Sequence, residues 1–209
     1  VHSGQHYDPE LSTEIESDLG LRIDSRLEIA KTSTALQIGE VVEQLEKFFR
    51  AESISHVIVY GDVTTTLAGA LAAKYLNLQL IHVEAGLRSR DNAMPEEINR
   101  ILVDSISDLL FSTTRDSWEI LEARKEDFQK SFFVGNTMVD SALKMKGESL
   151  LSFPSGDSGY GGVVTIHRQS NVDDPKRLEL LTDMLVSLSK KHSLLFPVHP
   201  RTEARLREQ

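Results

Sequence analysis

The pattern of hydrophobic and polar residues divides most of the chain into alternating helices and short strands. Between residues 34 and 50, apolar residues recur at near-helical spacing, which predicts an amphipathic helix. Short β-branched or aromatic runs then predict strands at 56–60, 78–83, 109–112 and 131–134. Helices are predicted between and after them, in the Ala-rich segment after Thr64 and at 95–107, 115–124 and 137–147. This alternation is typical of parallel βαβ units, so the sequence predicts an α/β fold with a doubly wound parallel sheet.

A stretch rich in Ser, Gly and Pro separates this region from a second, shorter α/β pattern. Residues 151–162 have the composition of a flexible linker. Beyond them the pattern predicts two strands and a helix, at 163–166, 194–196 and 174–191. A sheet of two strands cannot bury both of its faces. We therefore predict an N-terminal domain over 1–150, which lacks its first strand and helix, and the truncated start of a C-terminal domain over 163–209.

Charge and composition argue against nucleic acid and membranes as binding partners. The net charge is -9 and the pI is about 5.3, which is not the basic footprint of a nucleic-acid-binding protein. We find no apolar run long enough to cross a bilayer and no signal peptide in the first residues. The chain has no cysteine, so disulfides and thiolate chemistry are excluded. These observations predict a cytoplasmic protein with neither nucleic acid nor membrane insertion among its partners.

Polar residues follow several predicted strands, where open α/β sheets bind their ligands. The set comprises Asp62, Glu84, Asn136 and His167. For Asp62 the alternative is a structural role, since Asp at the start of a helix caps free N–H groups. His167 is alternatively a hydrogen-bonded histidine at the edge of a core.

Two further groups extend this candidate site. Glu96 and Glu97 follow Pro95, where they either take part in chemistry or offset the dipole of the helix that begins there. The His167-Arg168 pair suits a diphosphate, because Arg provides a bidentate fork and His a donor. The seven histidines show no metal-binding spacing, so we expect no metal. Carboxylates with a histidine are suited to proton transfer at carbon or to cleavage of a glycosidic C–O bond.

Several motifs together resemble one enzyme family. They are GQHYD at 4–8, GDVTTTLAGALAA at 61–73, HVEAGLRS at 82–89, PEEINR at 95–100, GNTMVD at 135–140, TIHR at 165–168 and PVHP at 197–200. In this order and spacing they resemble the non-hydrolysing UDP-N-acetylglucosamine 2-epimerases. The resemblance covers nearly the whole chain, and HVEAGLRS followed by PEEINR is not a generic α/β pattern. It implies two Rossmann-like domains in the glycosyltransferase-B arrangement, with the second domain truncated here.

The resemblance also implies a reaction and its residues. The family interconverts UDP-N-acetylglucosamine and UDP-N-acetylmannosamine at C2, by elimination and re-addition of UDP through a 2-acetamidoglucal. Catalytic roles carry over to Asp62, Glu84, Glu96 and His167. Substrate-binding roles carry over to Asp62, Glu84, Arg88, His167 and Arg168. The resemblance further implies no cofactor, a UDP-sugar as partner, a homodimer and a role in polysaccharide biosynthesis.

Some positions depart from the family pattern, and two other functions remain open. Val63 replaces a threonine, Ser170 replaces an acid, and Glu40 replaces an arginine of bacterial members. The alternatives are a UDP-sugar glycosyltransferase of the same fold and a non-catalytic nucleotide-sugar-binding module. The resemblance also predicts that His167 faces Asp62 and Glu84 across a cleft, and that the 209-residue chain alone has little activity.

Overall fold

This computed structural model describes residues 1–3, 20–30, 32–147 and 161–208. The chain divides into two compact units, Val1–Gly147 and Glu148–Gln209. The motif at 4–8 and residues 151–160 of the predicted linker lie outside the described residues. The assignment of these units to two domains stays a prediction. Among the described residues, no helix is both long and apolar enough to span a bilayer.

The first unit alternates helices and strands at the predicted places. Its helices are α1 (Thr34–Ala51), α2 (Thr64–Tyr75), α3 (Pro95–Ile106), α4 (Arg115–Glu122) and α5 (Thr137–Gly147). Its strands are β1 (His56–Tyr60), β2 (Gln79–Ala85), β3 (Leu109–Ser112) and β4 (Lys130–Phe133). Hydrophobic periodicity therefore located each element to within about two residues.

The four strands form one parallel sheet in the order β1-β2-β3-β4. This confirms the α/β class and the parallel sheet. Within the described residues, strand order follows chain order. Because all four strands are parallel, their carboxyl ends meet at one edge, where open α/β sheets bind their ligands.

The core of the first unit lies between the sheet and its helices. Helix α1 contributes Val41, Leu45 and Phe49, which pack with Val57 and Val59 of β1. Helix α2 is buried over most of its length, and its small residues let it pack closely against β1. At Gly69 a Cβ atom would lie 3.2 Å from the side chain of Val59. This packing fixes the helix directly behind the turn that follows β1.

The second unit repeats the pattern on a smaller scale. Its elements are β5 (Gly162–Val163), α6 (Gln169–Val172), α7 (Pro175–Ser189), β6 (Leu194–Leu195) and α8 (Pro200–Arg207). Strands β5 and β6 pair in parallel. Asp174 caps the N-terminus of α7 and His199 that of α8, each by accepting backbone hydrogen bonds.

Candidate active site

The turns after β1 and β2 lie side by side. Tyr60 pairs with Val83 in the sheet, and the N–H of Gly61 donates to the carbonyl of Val83 at 3.0 Å. Asp62 and Glu84 therefore project from the same edge, as predicted. A Cβ atom at Gly61 would lie 3.6 Å from Glu84 Oε2, which places the Glu84 carboxylate directly against this turn.

Glu84 has an unusual backbone conformation. Its φ is +70°, and the register between β2 and β3 shifts between Val83 and Ala85. A left-handed conformation at a residue other than glycine costs about 1–3 kcal/mol, and such residues cluster at functional sites. The side chain is half-buried, and its carboxylate makes no hydrogen bond to any residue that the structure describes. Glu84 thus combines a strained backbone with a carboxylate that has no hydrogen-bond partner among the described residues.

Gly86 permits the chain to turn away sharply after Glu84. Its φ is +83°, and a Cβ atom would lie 2.3 Å from the carbonyl oxygen of Ser117 on α4. Both the conformation and the close approach require glycine at this position. Helix α4 therefore limits where the turn after β2 can lie.

Asp62 is held by helix α3. Its carboxylate forms an ion pair with Arg100, and Asn99 Nδ2 donates to its carbonyl oxygen at 2.8 Å. The interpretation of Asp62 as a helix cap is wrong: the N-cap of α2 is Val63, and no side chain caps it. The Asn-Arg end of the PEEINR motif thus fixes the position of Asp62.

The two neighbouring acids of PEEINR occupy different environments. Glu97 is only 2% exposed, and its carboxylate accepts hydrogen bonds from the backbone N–H groups of Ser89 and Arg90, at 2.7 and 3.1 Å. Glu97 therefore anchors the loop after β2 and does not cap its own helix. Glu96 is exposed in the first turn of α3. Its catalytic role stays a prediction.

The environment of Glu97 favours its ionised form. Burial by itself raises the pKa of this carboxyl group. The hydrogen bonds from Ser89, Arg90 and Arg100 have the opposite sign and together outweigh burial, so the pKa of Glu97 lies below its ordinary value. The loop anchor is therefore a carboxylate at neutral pH.

Arg88 points into the protein. Its side chain is 10% exposed and pairs with Asp104 at 2.7 Å. It also donates to the carbonyl of Leu87 at 2.7 Å. Its substrate-binding role stays a prediction, and in this structure its guanidinium connects the loop to α3.

Sequence reasoning did not identify His82 and Asp104 as site residues. His82 is fully buried, and its Nδ1 donates to Asp104 Oδ1 at 2.7 Å. Its Nε2 donates to the carbonyl of Gly61 at 2.8 Å. Asp104 also accepts the N–H of Gly86 at 3.1 Å. One signal was present: Asp104 follows Glu97 by seven residues, which places the two acids on the same face of α3.

His167 and Arg168 belong to the second unit and are both exposed. The ring of His167 stacks on that of His199, with centroids 5.7 Å apart. Its exposure argues against the interpretation as a hydrogen-bonded histidine at the edge of a core. Asn136 of the first unit accepts the N–H of Met138 at 2.9 Å, a local contact at the start of α5. In the part of the chain that the structure describes, no three His, Asp or Glu residues cluster as a metal site.

Comparison with known proteins gives a consistent match. A family model described as UDP-N-acetylglucosamine 2-epimerase matches residues 1–209. A Methanococcus maripaludis protein named UDP-N-acetylglucosamine 2-epimerase homolog is 38% identical over 97% of this chain and 58% of its own length. A Pseudomonas aeruginosa protein named UDP-2,3-diacetamido-2,3-dideoxy-D-glucuronate 2-epimerase is 39% identical over the same shares.

Solved structures agree with this match. The structure of Methanocaldococcus jannaschii UDP-GlcNAc 2-epimerase in complex with UDP-GlcNAc and UDP is 36% identical, with a TM-score of 0.88. It is matched over 100% of this chain and 60% of its own chain. The Neisseria meningitidis UDP-GlcNAc 2-epimerase bound to UDP-GlcNAc is 28% identical, with a TM-score of 0.82. The chain spans about 60% of the length of these relatives and belongs to the UDP-N-acetylglucosamine 2-epimerase family.

Proposed function

We propose that the complete gene product epimerises a UDP-N-acetylhexosamine at C2, interconverting UDP-N-acetylglucosamine and UDP-N-acetylmannosamine. Asp62, Glu84 and Glu96 are the carboxylates of this reaction, and His167 and Arg168 act on the diphosphate. Arg88 contributes to substrate binding. The proposal assigns the chemistry to side chains alone, without a cofactor.

The reaction proceeds by elimination and addition. A carboxylate takes the proton from C2, the C1–O bond breaks, and UDP leaves with the electron pair of that bond. The resulting 2-acetamidoglucal receives a proton at C2 on the opposite face, and UDP adds back at C1. Proton removal and return need groups placed on both faces of the sugar, and the departing diphosphate needs cations or donors.

The main support for this proposal is the position of the Glu84 carboxylate and its lack of a described hydrogen bond. Its carboxylate lies against Gly61, beside Asp62, and is not used in any described hydrogen bond. Structural carboxylates nearby are fully engaged: Glu97 accepts from Ser89 and Arg90. A base must keep its lone pairs available for the substrate, so Glu84 fits the role that the resemblance implies.

Incorporation of solvent deuterium at C2 tests this function. We expect the complete gene product, incubated with UDP-N-acetylglucosamine in D₂O, to exchange the C2 hydrogen and form the manno epimer. A glycosyltransferase cleaves or forms the C1–O bond without exchange at C2, and a binding module does neither. UDP binding without exchange at C2 would therefore exclude the epimerase.

A second substrate is favoured by one of the relatives. The Pseudomonas aeruginosa protein is named for UDP-2,3-diacetamido-2,3-dideoxy-D-glucuronate, which carries a carboxylate at C6 and a second acetamido group. The same elimination at C2 applies to this sugar. Parallel deuterium-exchange assays with both UDP-sugars distinguish the two substrates by their kcat/KM values.

We also propose that the protein is a cytoplasmic homodimer that supplies a sugar for polysaccharide biosynthesis. The family resemblance supports the dimer and the biosynthetic role, and the absence of cysteine supports the compartment. Sedimentation of the complete gene product tests the dimer, for which we expect twice the monomer mass.

A further inference from the structure

A single buried carboxylate contacts the segment around Glu84 at three points. Asp104 lies on α3, and its side chain is 5% exposed. Its Oδ1 accepts from His82 Nδ1 at 2.7 Å, and its Oδ2 accepts from the N–H of Gly86 at 3.1 Å and pairs with Arg88 at 2.7 Å. These three donors flank Glu84 on both sides in sequence.

The same carboxylate is connected to the turn that carries Asp62. His82 donates from Nε2 to the carbonyl of Gly61 at 2.8 Å, and its Nδ1 is hydrogen-bonded to Asp104. His82 therefore bridges Asp104 and the turn after β1. Asp104 thus contacts the turn after β2 directly, through Gly86, and the turn after β1 indirectly, through His82.

Glu84 needs such support because its own contacts provide little. Its φ of +70° is unfavourable, and its carboxylate has no hydrogen-bond partner among the described residues. Strained residues of this kind persist only when the surrounding structure fixes them. We propose that Asp104 is a positioning residue, which holds the backbone on both sides of Glu84 and thereby aims its carboxylate. This inference rests on the proposed function of Glu84.

The substitution Asp104→Asn changes this arrangement with almost no change in volume. A carboxylate only accepts hydrogen bonds, whereas an amide presents one acceptor and one donor group. The new NH₂ group faces either Nδ1 of His82 or the donors of Gly86 and Arg88. Toward Gly86 and Arg88, the NH₂ group opposes two donors. Toward His82, it is accepted by Nδ1 of an imidazole that keeps its proton on Nε2, but the buried Arg88 still loses its charged partner. In both orientations an anchor of the Glu84 segment is therefore weakened.

Asp108 provides a matched control, because it contacts the opposite, amino end of β2. Its Oδ2 accepts the N–H of Leu80 at 2.7 Å, and its Oδ1 pairs with Lys74 at 2.8 Å. Asp108→Asn therefore makes the same chemical change and also weakens an anchor of β2. Leu80 lies at the amino end of β2, away from the turn that carries Glu84.

The test compares kcat and KM for epimerisation of UDP-N-acetylglucosamine, in the complete gene product at a temperature where both variants are folded. We expect Asp104→Asn to lower kcat about a hundredfold, a loss that a misplacement of about 1 Å can cause, and to change KM less, through Arg88 alone. We expect Asp108→Asn to retain the wild-type kcat. A wild-type kcat in Asp104→Asn, or equal losses in both variants, would overturn the proposal.

A second variant applies if Asp104→Asn does not fold. His82→Gln keeps an amide donor for the carbonyl of Gly61 and loses the donor to Asp104. We expect a reduced kcat with KM near the wild-type value, whereas an unchanged kcat would overturn the proposal.

Hydrogen exchange of the Gly86 amide tests the anchoring role of Asp104 independently of enzymatic activity. If the wild-type protein epimerises neither UDP-sugar, the proposed function fails. Faster exchange at Gly86 in Asp104→Asn than in Asp108→Asn would still support the anchoring role. Equal exchange at Gly86 in the two variants would overturn that role.

Discussion

The segments that follow β2 and β5 hold their candidate catalytic side chains in different ways. After β2, Glu84 is half-buried in a strained conformation, and contacts with α3 and α4 surround its turn. After β5, His167 is exposed, and its neighbour Ile166 accepts a hydrogen bond from Thr202 of α8. The first site depends on many buried contacts, and the second on a ring stack and one backbone anchor.

This difference implies that stability and activity are coupled differently in the two units. Around Glu84, substitutions that disturb the supporting contacts should change folding and catalysis together. At His167, the side chain can be removed with few packing consequences. Substitutions at Gly86, His167 and Glu97 test this contrast, in order of decreasing expected effect.

Gly86→Ala should produce the largest loss of stability. The new Cβ would lie 2.3 Å from the carbonyl oxygen of Ser117, at a φ of +83°. Left-handed strain costs about 1–2 kcal/mol, and overpacking adds about 1–3 kcal/mol. Gly135→Ala is the control, because Gly135 has a φ of +88° and no atom within 4 Å of the added Cβ. Urea unfolding should show about 4 kcal/mol for Gly86→Ala and only the strain cost for Gly135→Ala. Equal losses would contradict the close approach of α4.

His167→Ala should reduce activity and leave stability almost unchanged. Loss of one preorganised donor to the leaving diphosphate costs about 3 kcal/mol in the transition state, or roughly a hundredfold in kcat. The exposed side chain contributes little to folding, so the melting temperature should remain near that of the wild type. His192→Ala, an exposed histidine of the same unit, is the control and should retain full activity. A lower melting temperature with retained turnover would show that His167 is a structural residue.

Glu97→Gln should cause a smaller, pH-dependent loss of stability. The pKa of Glu97 is lowered in the folded protein, so its contribution to stability is fully present above its unfolded pKa of about 4.3. That contribution is lost as the pH falls through the lower, folded pKa. Since hydrogen bonds to the carboxylate are weakened, we expect a loss of about 1–3 kcal/mol at pH 7.

The loss caused by Glu97→Gln should shrink below about pH 4. The exposed neighbour provides the control: Glu96→Gln should change the unfolding free energy by less than about 0.5 kcal/mol at every pH. Urea unfolding at several pH values measures both variants. A pH-independent difference between wild type and Glu97→Gln would contradict the role of the ionised anchor.

The sequence predicted the helices, the strands and their common edge because these follow from local periodicity. Helix α1 and strand β2 lie within two residues of their predicted bounds, and Asp62 and Glu84 share the predicted edge. Parallel pairing brings the carboxyl ends of the strands together without information from distant residues. The helices, the strands and their common edge could therefore be predicted without knowing any side-chain contact.

The contacts that support the site were not predictable in this way, and α3 shows why. This helix buries the polar residues Glu97, Asn99 and Asp104, while Ile98 and Ile101 are 48% and 40% exposed. An analysis that assigns apolar residues to the core reverses the orientation of such a helix. The polar face is buried because its partners lie on other segments of the fold. Glu97 accepts from the loop after β2, and Asn99 donates to Asp62 in the turn after β1. Asp104 accepts from His82, Gly86 and Arg88.

The direct test of the central claim is deuterium incorporation at C2 by the Glu84→Gln variant of the complete gene product. Glutamine keeps the shape of Glu84 and removes its basicity, so we predict a loss of about 10²–10⁴-fold in the exchange rate. The melting temperature should remain near that of the wild type, because the Glu84 carboxylate has no described hydrogen bond to lose. Glu43→Gln, at an exposed position of α1, is the control and should exchange at the wild-type rate. Exchange by Glu84→Gln at the wild-type rate would show that another group moves the C2 proton and would contradict the proposed role of Glu84.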